Sequence, residues 1–194
     1  MRRTVVILLF DEVEVLDFAG PFEVFAAADE LADGTLFDVR TVAARAGEVG
    51  ARGGLRVGAR HGLADCPGAD VLVVPGGFGT RALLADTVMI DWIQRSAARA
   101  EATLGVCTGS LLLARAGLLS GLRVTTHHEL LGMLSQLAPA AVVDASARFH
   151  DNGRITTAAG ISAGIDAALH LVGRLAGEDA AARTARYMEY ERRG

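Results

Sequence analysis

The sequence predicts an α/β protein built on a mostly parallel sheet covered on both faces. Three observations carry this. Apolar runs of strand length recur at Thr4–Leu9, Val71–Val74 and Thr103–Val106. They are apolar almost throughout, as strands buried on both faces are, rather than alternating. Helical stretches separate them, in the alternation expected of βαβ units. Hydrophobic residues make up 51% of the 194, enough for a large core. No apolar run reaches the roughly 20 residues of a membrane span.

The elements follow in order. Thr4–Leu9 is a buried strand. Two arginines precede it, as in an export signal, but Asp11 and Glu12 close the apolar run and no small-residue cleavage site follows. The cytoplasm is therefore the expected location. Pro21 suits an early helical position, so a helix is expected from about Phe22 to Leu31. Leu36–Ala43 reads as a strand and the glycine-rich stretch Gly47–Gly58 as a hairpin. Val71–Val74 ends in "PGGFGT", and a helical region, Arg81–Arg99, has a break near Asp86. Strand Thr103–Val106 turns at Cys107 into a helix reaching about Ala116. Val124–Thr126 and Val142–Asp144 read as short strands and Glu129–Leu137 as a short helix. "RFHDNGRITT" is a hairpin around Asp151-Asn152-Gly153. "SAGIDAALHLVGRLAG" is a long amphipathic helix with Ser162 as its N-cap. A last helix covers about Glu178–Glu189. No repeat, linker or low-complexity segment interrupts this pattern.

Composition excludes several functions. The net charge of −4 and pI near 5.7 argue against a nucleic-acid partner. The chain has no lysine; all 19 basic residues are arginine. Schiff-base chemistry and a P-loop are thereby removed. Cys66 and Cys107 make no disulfide framework and read as free thiols. The five histidines show no His-x-x-x-His spacing with an acidic partner, so no metal site is expected.

Chemistry concentrates where strands end. Gly105-Val106-Cys107-Thr108-Gly109 has the form of a nucleophile elbow, a strand-to-helix turn, with sulfur in place of the serine oxygen. A cysteine is also a good small core residue, but the flanking glycines relieve the crowding that such a turn creates. A helix start lowers a thiol's pKa, so a thiolate is expected. Gly76 and Gly77, after another strand, let backbone N–H groups approach a ligand; with the Thr108 N–H they would stabilise negative charge. Asp17 lies between Leu16 and Phe18, which suggests partial burial. Near Cys107 it would share one proton with the thiol, and ionised Cys107 beside protonated Asp17 would be the productive form. Cys66 lacks flanking glycines and is assigned no role. His61, His150 and His170 read as surface or helix positions.

Four segments, "LDFAGPFEVF", "VVPGGFGT", "GVCTGSLLLARAGLLSGLRVTTHHE" and "TTAAGISAGIDAALHLV", resemble the DJ-1/PfpI superfamily. Within it, they are most similar to the branch of isonitrile (isocyanide) hydratases and the amidase-like sensor domains of AraC-type regulators. The resemblance covers nearly the whole chain, so residues 1–194 read as a single DJ-1/PfpI (class I glutamine amidotransferase-like) domain. It implies a flavodoxin-like three-layer sandwich, a homodimer, Cys107 as nucleophile and Asp17 as its acidic partner. Members called proteases or glyoxalases have histidine directly after the cysteine and glutamate as the acid. Thr108 and Asp17 here favour the hydratase branch.

The implied activity is conversion of an isonitrile to an N-substituted formamide through a covalent Cys107 thioimidate, with Asp17 as general acid and base. Thr108 would hold Asp17 or the catalytic water, and Gly160 and Ile161 would form pocket wall. Neither metal nor organic cofactor is required; the partners are the small-molecule isonitrile and water. Two alternatives stand beside this. One is a ligand- or redox-sensing domain without turnover; a DNA-binding module is not expected, since residues 1–194 leave no room for its helices. The other is a cysteine amidase or amidotransferase-like hydrolase using His127 or His128; a structural or pocket-edge role for these is the preferred reading.

Overall fold

The computed structural model describes residues 2–193. Its strands are β1 (Arg3–Leu8), β2 (Phe37–Ala43), β3 (Gly47–Gly50), β4 (Arg56–Ala59), β5 (His61–Gly62), β6 (Val71–Val74), β7 (Ala102–Val106), β8 (Arg123–Val124), β9 (Val142–Val143), β10 (Phe149–Asp151) and β11 (Ile155–Ala158). Its helices are α1 (Val15–Glu30), α2 (Thr80–Leu83), α3 (Thr87–Arg99), α4 (Gly109–Arg115), α5 (Leu131–Leu137), α6 (Ala163–Ala176) and α7 (Glu178–Tyr187).

Seven strands form the central sheet in the order β10-β11-β7-β6-β1-β2-β5. All its pairings are parallel except that of β10 with β11. The apolar runs β6, β7 and β1 occupy the middle. Val5 to Leu8 and Val71 to Val74 are wholly buried, each side chain stabilising the fold by about 1.5–3 kcal/mol. Helices α1, α6 and α7 pack together on one face, and α3 and α4 on the other. The sandwich of three layers follows from strands that are apolar on both sides. The strand order reverses between β1 and β6: β2 lies on one side of β1, and β6, β7 and β11 follow on the other. Such a switch point opens a crevice at the carboxyl ends of the strands.

Several elements differ from expectation. Helix α1 begins at Val15, not Phe22, and Pro21 lies inside it. Proline has no N–H to give the Asp17 carbonyl one turn earlier, but packing of the surrounding residues outweighs this. Nine residues of α1, from Asp17 to Asp29, are buried. Asp17 is thus in the helix's first turn rather than in a preceding loop. Ser162 occupies the position before α6 but makes no side-chain cap. Its hydroxyl instead contacts Arg148 Nη2 at 3.1 Å. The break near Asp86 is a true N-cap, its carboxylate accepting from Met89 N at 3.0 Å. No helix of the described residues is long and apolar enough to cross a membrane.

Candidate active site

Three strand ends meet at the crevice. Cys107 follows β7 and adopts φ 55°, a left-handed conformation costing an L-residue roughly 1–2 kcal/mol. The surroundings hold it there. Cys107 N donates to Ala158 O at 3.1 Å and Ala159 O at 3.0 Å, and Thr126 Oγ1 donates to Cys107 O at 2.7 Å. Gly109 opens α4 against β6: a Cβ there would overlap the Val74 carbonyl oxygen. A backbone carbonyl cannot swing aside like a side chain. Gly109→Ala is therefore expected to destabilise the protein by about 3 kcal/mol or more, read as a lowered urea midpoint.

Asp17 is fully buried. Its Oδ2 accepts from Gly76 N at 3.0 Å, while Oδ1 is buried without a hydrogen-bond partner. Gly76 has no room for a side chain, because a Cβ would stand 2.6 Å from Thr108 N and 2.8 Å from Asp17 Oδ2. The glycine therefore lets β6, the acid and the elbow converge.

Burial pushes Asp17 up to about 7, against the Gly76 N–H and the Cys107 thiol, which favour its anion. Burial also pushes the Cys107 thiol up to about 12, and the neighbouring Asp17 charge adds to this. The backbone N–H groups of Thr108 and Ile161 pull the other way without prevailing. The expected thiolate is therefore corrected: a helix start contributes about 1 kcal/mol, too little to offset desolvation of a cysteine that is only 6% exposed. These two shifts place the proton of a singly protonated pair on sulfur near neutral pH.

The amides of the Pro-Gly-Gly turn are also occupied. Gly76 N serves Asp17, and Gly77 N donates to Thr108 Oγ1 at 2.8 Å. They hold the Asp17 and Thr108 side chains rather than stand free as an oxyanion hole. Thr108 makes no hydrogen bond to Asp17; its hydroxyl contacts Gly77 O at 3.3 Å and Thr80 Oγ1 at 3.2 Å. The role of holding Asp17 belongs to Gly76.

An open cleft of about 560 Å³ is lined by Cys107, Thr108, Gly77 and Ile161. Asp17 lies behind this wall, not on it. Ile161, at φ 49°, is 38% exposed. Gly160 is packed against His127, whose Cδ2 would stand 2.7 Å from a Cβ there. His127 lines the cleft, with Nδ1 3.4 Å from Glu129 N, and stacks on His128 with ring centroids 4.3 Å apart. The cleft thus gains a histidine edge, while the carboxyl beside Cys107 is that of Asp17. His150 lies on the edge strand β10, and His170 Nε2 meets Asp151 of the same strand at 2.7 Å.

Glu129 also lines the cleft, and Glu14, Phe78, Arg81 and Leu130 complete the lining; sequence reasoning missed these four. Phe78 carries the Arg52 and Arg81 guanidinium groups 3.9 Å and 4.5 Å from its ring centroid. An exposed aromatic directly after Gly76-Gly77 was the available signal for this wall. Among the described residues no three His, Cys, Asp or Glu side chains gather as a metal site would require.

A family model described as the DJ-1/PfpI family matches residues 3–174. The chain belongs to the DJ-1/PfpI family. Isonitrile hydratase of Pseudomonas putida is 38% identical over 183 residues, 94% of this DJ-1/PfpI chain and 76% of that protein. The transcriptional regulator GbdR of Pseudomonas aeruginosa is 30% identical over 185 residues, covering 95% of the chain; the chain spans 50% of the regulator's length. Among solved structures, a ThiJ/PfpI family protein from Pseudomonas syringae superposes with a TM-score of 0.89 at 27% identity, over 100% of this chain and 77% of that one. Drosophila melanogaster DJ-1β gives 0.85 at 19% identity, over 98% and 100%; this likeness shows the flavodoxin-like α/β fold alone.

Proposed function

We propose that this protein is an isonitrile hydratase. The observation that carries the reading is a buried thiol, Cys107, beside a buried carboxyl, Asp17, at an open cleft. The likeness to the Pseudomonas putida hydratase supports it. In R–N≡C the terminal carbon takes the nucleophile. Sγ of Cys107 attacks that carbon as its proton passes to the Asp17 carboxylate, and Asp17 returns the proton to the same carbon. The product is the thioimidate R–N=CH–S–Cys107. Water then adds to the carbon, giving a proton to Asp17, which passes it to nitrogen. The C–S bond breaks, the thiol recovers its proton, and R–NH–CHO leaves. Every atom of water and isonitrile ends in the formamide.

The pair predicts the pH dependence. Only ionised Asp17 accepts the thiol proton, and burial has raised that carboxyl to about 7. Second-order turnover of a neutral isonitrile should therefore rise about tenfold from pH 6 to pH 8. Initial rates of formamide formation at low substrate check this; a profile flat across that range contradicts the assignment of Asp17 as base.

The match to GbdR supports a second reading, ligand sensing without turnover. Isonitrile binding without formamide formation would select it. The homodimer and a cytoplasmic location remain parts of the proposal, and sedimentation at two protein concentrations tests the former.

A further inference from the structure

We infer that Thr80, buried in the first turn of α2, is a positioning residue that keeps the Thr108 hydroxyl a hydrogen-bond acceptor toward the cleft. The inference rests on the isonitrile-hydratase reading for its chemistry, though not for its geometry. Thr80 is 1% exposed. Its only hydroxyl proton goes to Gly77 O at 2.7 Å. The Gly77 N–H goes to Thr108 Oγ1 at 2.8 Å. Thr80 Oγ1 also lies 3.2 Å from Thr108 Oγ1; with the single Thr80 proton on the nearer Gly77 O, that contact is left for the Thr108 proton, whose other acceptor is Gly77 O at 3.3 Å. With the protons placed in this way, the three groups close a ring within the turn.

A hydroxyl oxygen has two lone pairs and one proton. At Thr108 one lone pair accepts from Gly77 and the proton is spent within the turn. One lone pair remains, on a residue that lines the cleft beside Cys107. That lone pair accepts and does not donate. An isonitrile offers it nothing, since its nitrogen carries no hydrogen. The hydrated intermediate R–NH–CH(OH)–S–Cys107 and the formamide both carry N–H and suit it. The interaction therefore arises only after attack, and it accelerates turnover without tightening substrate binding. Without the Thr80 hydroxyl, Gly77 O loses its donor and the Thr108 rotor loses one of its two inward acceptors.

The test compares wild type, Thr80→Val and Thr80→Ser. The expected result is a five- to tenfold lower kcat for Thr80→Val with KM within twofold, and recovery in Thr80→Ser. A second arm reads binding without catalysis, by calorimetry with N-phenylformamide and N-methyl-N-phenylformamide. Thr80→Val should weaken the first about fivefold and leave the second unchanged. If wild type hydrates no isonitrile yet this binding pattern holds, the hydratase reading fails and the role of Thr80 stands. An unchanged kcat, an equal loss for both formamides, no formamide binding to wild type, or no recovery in Thr80→Ser overturns the inference.

Discussion

Cys107→Ala should lower formamide formation from isonitriles by about 10⁴-fold or more, the scale of losing a covalent nucleophile. The loss is expected without unfolding. Alanine is no more strained than cysteine at φ 55°, and the bonds holding that turn run through the backbone of residue 107. Cys107→Ser should be nearly as inactive, because an alcohol in the same desolvated place gives up its proton far less readily than a thiol. The same position in a purely structural role would tolerate both changes. Parallel measurement of thermal midpoint and turnover separates the two cases: a midpoint near wild type with abolished turnover is the predicted pair of results.

Asp17→Asn should divide activity from stability. Turnover falls by about 10²–10⁴-fold, the contribution of a positioned acid–base group. Asparagine keeps an oxygen for the Gly76 N–H but cannot take the thiol proton. Stability moves the other way. The Asp17 carboxyl is raised in the folded protein from 3.8 to about 7, chiefly by burial. Below pH 4 it is neutral in both folded and unfolded chains and carries no penalty. Between pH 4 and 7 the unfolded chain ionises first, so the wild type loses stability as pH rises; above about 7 the deficit is constant. Removing the charge removes that deficit. The variant should melt close to wild type at pH 4 and above it at pH 8, by roughly 2–4 °C for each kcal/mol relieved. A variant less stable than wild type at pH 8 would mean that the buried carboxylate is satisfied, and would remove the reason for its raised pKa.

The legible parts of this molecule were those in which a short segment contains its own cause. Val71–Val74 has no polar residue, so both its faces had to be covered, and it lies at the centre of the sheet. Glycines two before and two after Cys107 announce a turn too tight for side chains, and Gly109 does sit against Val74 O. Asp17 between two apolar neighbours announced burial, although not its extent. What remained hidden depends on groups far apart in the chain. Nothing in "PGGFG" says that its two amides are taken by Asp17 and Thr108, 59 and 31 residues away. Helix α1 begins before Pro21 because packing, not local propensity, decides there. The thiol is raised rather than lowered because desolvation grows with tertiary burial while the helix start acts only nearby. Phe78 and Arg81 became cleft wall only once β6 and the elbow were side by side.

The most direct test is the mass of the protein quenched during turnover of a simple aryl isonitrile. The account predicts a transient adduct heavier by the whole isonitrile, located by peptide mapping on Cys107 and absent from Cys107→Ala. Formamide produced while Cys107 is never modified, or an adduct on Cys66 instead, would contradict it.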